Sequence, residues 1–235
     1  MRTELRHIFF DLDHTLWDFH ANSARAFKQL FKEFHVPLDY ERFMEIYRPV
    51  NLRVWDDYAA GFYTKEQVKI IRLKTALDRL GFDLPPDVIL QMAERYLELL
   101  ALGTDLMPGA RELLETLSRQ YPLHLITNGF SEVQHTKIRR AKLDKYFQTL
   151  TLSEETGELK PHPKVFRHAL RKAGAFPHES VMIGDSIRSD ILGAVNVGMR
   201  AVLYDPEGNE NFPEVIAPVA ARLTDIPKLL ETWKN

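Results

Sequence analysis

The apolar positions of this chain change rhythm once. From residue 22 to residue 102 they recur every three or four places, the spacing of helices that bury one face. Ala24, Phe27, Leu30, Phe31 and Phe34 make the first such stripe, with Lys28, Lys32 and Glu33 between them, and predict a helix over 22–34. A second helix is predicted over 40–58 and a third over 64–80, where Thr64-Lys65-Glu66-Gln67 has the form of a capping box and Gly81 that of a stop. Pro85-Pro86 opens a fourth that runs to about residue 100. No stretch between 22 and 102 reads as a strand, so about eighty residues are expected to form an all-helical unit, a size within the usual domain range.

After Met107-Pro108-Gly109, short apolar runs and amphipathic stretches alternate. The expected order is helix 110–120, strand 122–127, helix 132–142, strand 147–152, helix 163–173, strand 180–183, helix 187–197 and strand 200–204, then a capped final helix over 223–230. Such alternation implies right-handed crossovers and a parallel sheet with helices on both faces, an α/β fold. Near the start, Ile8, Phe9 and Phe10 end a short buried strand beginning near residue 5. It has no parallel partner nearby in sequence and is expected to join the later sheet. The helical unit then becomes an insertion, a cap over the sheet's carboxyl edge.

Composition narrows the partners. Lys and Arg total 31 against 33 Asp and Glu, a formal net charge of -2, which removes the simplest electrostatic reason to expect a nucleic-acid polymer or an anionic membrane. The absence of cysteine excludes disulfides, thiolate chemistry and cysteine zinc sites, and fits a cytoplasmic protein. The first apolar run spans only about five residues before Asp11 interrupts it, too short for a signal-peptide core or a membrane span. No solenoid repeat, low-complexity tract or heptad is visible, and a monomer is the default expectation.

Four short motifs fall at the expected C-terminal ends of four strands, where open α/β sheets place their ligands. Asp11 and Asp13, two residues apart after an apolar run, repel each other unless a cation or a shared proton is part of the site, and oxygen-only ligands point to Mg²⁺. Thr127-Asn128-Gly129 offers a hydroxyl, an amide and a flexible backbone to phosphate oxygens. Lys160, before Pro161 and just ahead of a helix, offers a fixed cation. Asp185 in Gly184-Asp185-Ser186 completes a carboxylate cage, with Asp190 one helical turn on in support. Each has an ordinary alternative: a turn, a helix cap or a solvated lysine.

Together the motifs resemble those of the haloacid dehalogenase-like hydrolase superfamily, which has Asp-x-Asp-x-Thr, then Thr or Ser, then Lys, then Gly-Asp with a further Asp. The matching positions are Asp11, Asp13, Thr15, Thr127, Lys160, Asp185 and Asp190, and the helical insertion looks like that superfamily's C1 cap. The resemblance implies a Rossmann-like core over 1–17 and 103–235 and a specificity cap over 18–102. It implies Asp11 as nucleophile of an aspartyl-phosphate pathway and Asp13 as general acid and base, an acid that favours phosphatase over dehalogenase because an alkoxide leaves badly unprotonated. Mg²⁺ is expected on Asp11, the Asp13 backbone carbonyl, Asp185 and Asp190, with Thr127, the Asn128 backbone and Lys160 on the phosphoryl oxygens. The string Phe-Phe-Asp-Leu-Asp-His-Thr-Leu-Trp-Asp-Phe, with Asn51, Trp55 and Arg72 in the cap, is similar to the branch of bacterial 5'-nucleotidases acting on pyrimidine and non-standard nucleoside monophosphates, and Trp17 is expected to line the cap junction. A phosphoglycolate or sugar-phosphate phosphatase, a phosphomutase and a non-catalytic phospholigand-binding protein remain alternatives.

Overall fold

The computed structural model describes residues 4–208, 213 and 216–233, so the first three residues of the N-terminal run lie outside it. The described residues fall into two compact units, one of residues 20–103 and the other of the segments flanking it.

The 20–103 unit is helical throughout. Helix α1 (Phe19–Glu33), which begins at the end of the other unit, is followed by α2 (Tyr40–Ala59), α3 (Lys65–Arg79) and α4 (Pro86–Ala101). Thr64 caps α3 through Gln67 N–H while the Gln67 side chain returns to Thr64 N–H, the reciprocal box read from the sequence. Gly81 takes the left-handed φ of +84° that ends the helix. The apolar stripe of α1 becomes an aromatic core: Phe27 stacks on Tyr96 at 4.1 Å and meets Phe43 and Tyr47 at 4.7 Å. Ring pairs of this kind contribute about 1 kcal/mol each beyond the area they bury.

The other unit is a six-stranded parallel sheet in the order β3-β2-β1-β4-β5-β6. Its strands are β1 (His7–Phe10), β2 (Leu123–Thr127), β3 (Phe147–Leu152), β4 (Ser180–Gly184), β5 (Arg200–Tyr204) and β6 (Val219–Ala220). Helices α5 (Ala110–Leu117), α6 (Ser131–Arg140), α7 (Pro163–Ala173), α8 (Gly193–Val195) and α9 (Ile226–Glu231) connect and follow them. The opening strand inserts between β2 and β4, with Ile8 opposite both Leu123 and Val181. Strands buried on both faces read as continuous apolar runs, which is why Val181-Met182-Ile183 and Ile8-Phe9-Phe10 show no alternation. Phe9, Met182 and Leu203 pack with Val165, Phe166 and Ala169 of α7 in one core cluster.

Three local readings change. The helix expected over 187–197 opens as a π turn, Ile187–Leu192, before α8. The N–H groups of Asp190 and Ile191 both reach Ser186 O, at 2.9 and 3.2 Å, and the widened turn carries the Asp190 side chain inward. Instead of one helix over 223–230, a 3₁₀ turn at Leu223–Asp225 precedes α9, whose Pro227 has no N–H to extend a ladder backwards. Strand β6, two residues long, is too short for a periodicity to reveal. Among the described residues no helix is long and apolar enough to cross a membrane.

Candidate catalytic site

The strand order reverses at β1, so the ends of β1, β2 and β4 border the crevice in which such sheets hold ligands. Asp11 is the first residue past β1, and its N–H continues the ladder to Ile183 O at 2.9 Å. The chain then closes a tight turn, Leu16 and Trp17 both donating to Leu12 O, with His14 at a left-handed φ of 67°. That turn brings Thr15 back beside the acids. Its hydroxyl donates to Asp185 Oδ1 at 3.0 Å, accepts from Asp185 N–H at 3.1 Å, and lies 3.4 Å from Asp11 Oδ2. One hydroxyl thus ties the end of β1 to the end of β4.

Lys160 is buried, and its ammonium spends all three protons: on Asp11 Oδ1 at 2.5 Å, Asp190 Oδ1 at 2.7 Å and Ile126 O at 2.9 Å. Burial works against its charge, but the two carboxylates prevail and hold its pKa above the ordinary lysine value. Asp190 Oδ2 accepts from Ser186 N–H at 3.1 Å. A side chain at Gly184 would collide with that carboxylate, so glycine is required where β4 ends.

Oxygens of Asp11, Asp185 and Asp190 all lie within 4.8 Å of one another. Burial pushes Asp11 well above the usual carboxylate range, with Asp190 and Asp185 adding to the rise against the pull of Lys160. Burial, then Asp190, raises Asp185 to about 7. With all three carboxylates ionised against one ammonium, two negative charges are in excess, which a divalent cation with oxygen ligands would offset. The Asp13 carboxylate is not part of this cluster.

At the end of β2 the side chains of the motif are engaged with the protein itself. Asn128 clamps the Lys160 backbone, Oδ1 accepting from Lys160 N–H at 2.8 Å and Nδ2 donating to Lys160 O at 3.1 Å, while Ser153 Oγ braces the same amide at 2.5 Å. The Thr127 hydroxyl accepts from Gln134 Nε2 at 2.7 Å.

Two residues of this site were not anticipated from the sequence. Gln134 Nε2 donates to Asp13 Oδ2 at 2.8 Å as well as to Thr127, and Lys137 Nζ reaches Asp13 Oδ1 at 2.6 Å. Both sit in the buried stripe of α6 with Val133 and Ile138. Two polar residues in the apolar register of an amphipathic helix were the available signal. Trp17, read as a junction residue, is fully buried, with Lys137 Nζ 4.0 Å over its ring.

Of the candidates in the helical unit, Arg72 and Asn51 come together. Arg72 is buried, its Nη1 donates to Asn51 Oδ1 at 3.3 Å, its guanidinium lies over Tyr96, and its Nη2 has no hydrogen-bond partner. Asn51 also accepts from Tyr47 Oη at 3.3 Å. Trp55 meets Tyr58 edge-on at 5.7 Å.

A haloacid dehalogenase-like hydrolase family model matches residues 5–198. The pyrimidine 5'-nucleotidase YjjG of Escherichia coli is 34% identical over 226 residues, 95% of this chain and 96% of that one. A glyceraldehyde 3-phosphate phosphatase of Pyrococcus furiosus is 31% identical over 240 residues, 97% of this chain and 92% of the relative. Among solved structures, the magnesium-bound HAD-hydrolase YfnB of Bacillus subtilis superposes with a TM-score of 0.87 at 28% identity, covering 97% of this chain and 99% of that one. With the four motifs gathered on one crevice of the sheet and the match running through nearly all of both units, the chain belongs to the haloacid dehalogenase-like hydrolases.

Proposed function

We propose that the chain is a Mg²⁺-dependent phosphomonoesterase that works through an aspartyl-phosphate on Asp11 and takes a nucleoside 5'-monophosphate, with a pyrimidine base favoured. The observation that carries this reading is Asp11 at the sheet's switch point, ion-paired to buried Lys160, with a second acid two residues on whose carboxylate is held apart from the cluster.

In the first half-reaction an Asp11 carboxylate oxygen attacks phosphorus, the bond from phosphorus to the ester oxygen breaks, and the departing oxygen takes its proton from Asp13. In the second, Asp13 accepts a proton from water, the water oxygen attacks the same phosphorus, and the Asp11 carboxylate and inorganic phosphate are released. Lys160 opposes the effect of burial on Asp11 and favours its ionised form. Thr127 and the Asn128 backbone N–H face the transferring oxygens. Asp11, the Asp13 backbone carbonyl, Asp185 and Asp190 would hold Mg²⁺, which supplies positive charge against the repulsion between these carboxylates and an anionic phosphoryl group. The 20–103 unit supplies specificity, with Asn51, Trp55 and Arg72 as its contacts to the rest of the substrate.

The nucleotide rests on the relatives named for pyrimidine nucleotides, which match nearly the whole chain. A second reading, a phosphatase of small phosphorylated sugars, is favoured by relatives named for such substrates at comparable identity and coverage. The test is phosphate release with Mg²⁺ and with chelator across nucleoside monophosphates, sugar phosphates and phosphoglycolate, with Asp11→Asn in parallel. Mg²⁺-dependent release that vanishes in the variant, fastest with pyrimidine monophosphates, is the expected result. Preference for a triose or pentose phosphate transfers the assignment to the second reading. Release that persists in Asp11→Asn defeats the aspartyl-phosphate route.

A further inference from the structure

We infer that Gln134 and Lys137 of α6 are positioning residues that aim the Asp13 carboxylate for proton transfer and set the Thr127 hydroxyl with it. This rests on the reading of Asp13 as general acid and deepens it.

The geometry is specific at both carboxylate oxygens. Oδ1 is held by Lys137 Nζ at 2.6 Å and Oδ2 by Gln134 Nε2 at 2.8 Å, so neither rotation about the terminal torsion nor a change of rotamer is free. Lys137 is itself fixed: its side chain is 2% exposed, and its ammonium lies 4.0 Å from the Trp17 ring centre and 5.4 Å from that of Phe19. Gln134 is fully buried, and its single Nε2 bridges Asp13 to Thr127 Oγ1. The proton donor, in the turn after β1, and a phosphate-facing hydroxyl at the end of β2 are thereby set by one amide. Gly129 makes room for it, since a side chain there would collide with Gln134. Gln134 Oε1 is buried without a partner in the structure, an unpaired acceptor that costs about 1–3 kcal/mol and is tolerated at functional sites. A buried lysine and a buried glutamine on one helix stripe are an expensive way to hold a core together. Directed at the two oxygens of one acid, they orient it.

The distinguishing property of a positioned acid is that it matters in proportion to how badly the leaving group needs a proton. The experiment compares kcat/KM, which reports the steps up to departure of the alcohol, for uridine 5'-monophosphate, an alkoxide leaver, and p-nitrophenyl phosphate, whose phenolate leaves without a proton. Lys137→Met and Gln134→Ala are measured beside the parent, Asp11→Asn and Lys137→Arg. The expected result is a loss of about 100-fold on the nucleotide with less than about fivefold on the aryl ester, and recovery of most of the nucleotide rate in Lys137→Arg, in line with the usual contribution of a general acid. Equal losses on the two substrates, or none, overturn the inference while leaving the phosphatase reading in place. A parent that hydrolyses neither ester defeats that reading and this inference with it. Thermal melting with and without Mg²⁺ confirms that each variant is folded with its carboxylate cluster intact; should Lys137→Met fail to fold, Gln134→Ala, which removes no charge, decides the matter alone.

Discussion

Lys160 shows how much one residue can be asked to do. Its position before Pro161 was legible in the sequence, and so was its chemistry, but its partners were not, because Asp11 is 149 residues and Asp190 30 residues away in the chain. Two ion pairs and one carbonyl use every ammonium proton, so a phosphoryl oxygen gains a contact from Lys160 only when one of these bonds is exchanged. Breaking a buried pair by deleting one partner leaves the other charge uncompensated, at a cost of about 3–5 kcal/mol. Lys160→Met is therefore expected to abolish turnover and, in chelator, to lower the melting temperature by roughly 8–15 °C for a chain of this size. Because the missing positive charge is what the cluster lacks, Mg²⁺ should recover part of the lost stability. Melting curves of the variant with Mg²⁺ and with chelator check this, and a fall of only a degree or two would mean that the acids simply take up protons.

At the scale of elements, the strands and their ends were readable because each apolar run is short, unbroken and closed by a polar motif: Phe10 before Asp11, Ile126-Thr127 before Asn128, Ile183 before Gly184-Asp185. The π turn after β4 was not readable, since a helical register looks the same on paper whether Asp190 faces solvent or is drawn inward to Lys160. Helix α6 was read correctly as a helix, yet Gln134 and Lys137 were not singled out, because polar residues on a helix are more commonly solvated. Local rules carried further where no distant partner competes, as at Thr64. Its side chain accepts from Gln67 N–H, and Gln67 answers through Thr64 N–H at 2.8 Å. Thr64→Ala removes the hydroxyl half of that box and should cost about 1 kcal/mol, measured by denaturant unfolding. Thr64→Asp, which keeps an acceptor and adds negative charge at the helix start, should retain most of it.

Across the whole sheet unit, the two edges carry opposite problems of charge. The carboxyl edge gathers acids around Lys160, while the amino edge buries a histidine: His124 of β2 is fully buried, stacks on Phe9, and bridges His7 Nδ1 at 3.1 Å and Thr149 Oγ1 at 2.9 Å. Burial, helped by His7, lowers its pKa to about 4, and burial lowers that of His7 against the opposing pull of Glu179 3.9 Å away and with the aid of Arg6. The unfolded chain, with histidines near 6.5, therefore binds more protons than the folded one between those values. His124 contributes full stability above about pH 6.5 and loses it as pH falls toward 4, an effect of up to about 3 kcal/mol. The acids at the other edge also titrate as pH falls, so the measurement belongs in excess Mg²⁺, which on the proposed reading would hold their charge state. Under those conditions the melting temperature of the parent should fall by roughly 5–10 °C between pH 7 and pH 5. His124→Gln keeps a donor and an acceptor near His7 and Thr149 without a proton to gain, and its profile should be flatter by most of that amount. A variant as steep as the parent would place the acid sensitivity in the remaining carboxylates, leaving the buried ring as a packing element alone.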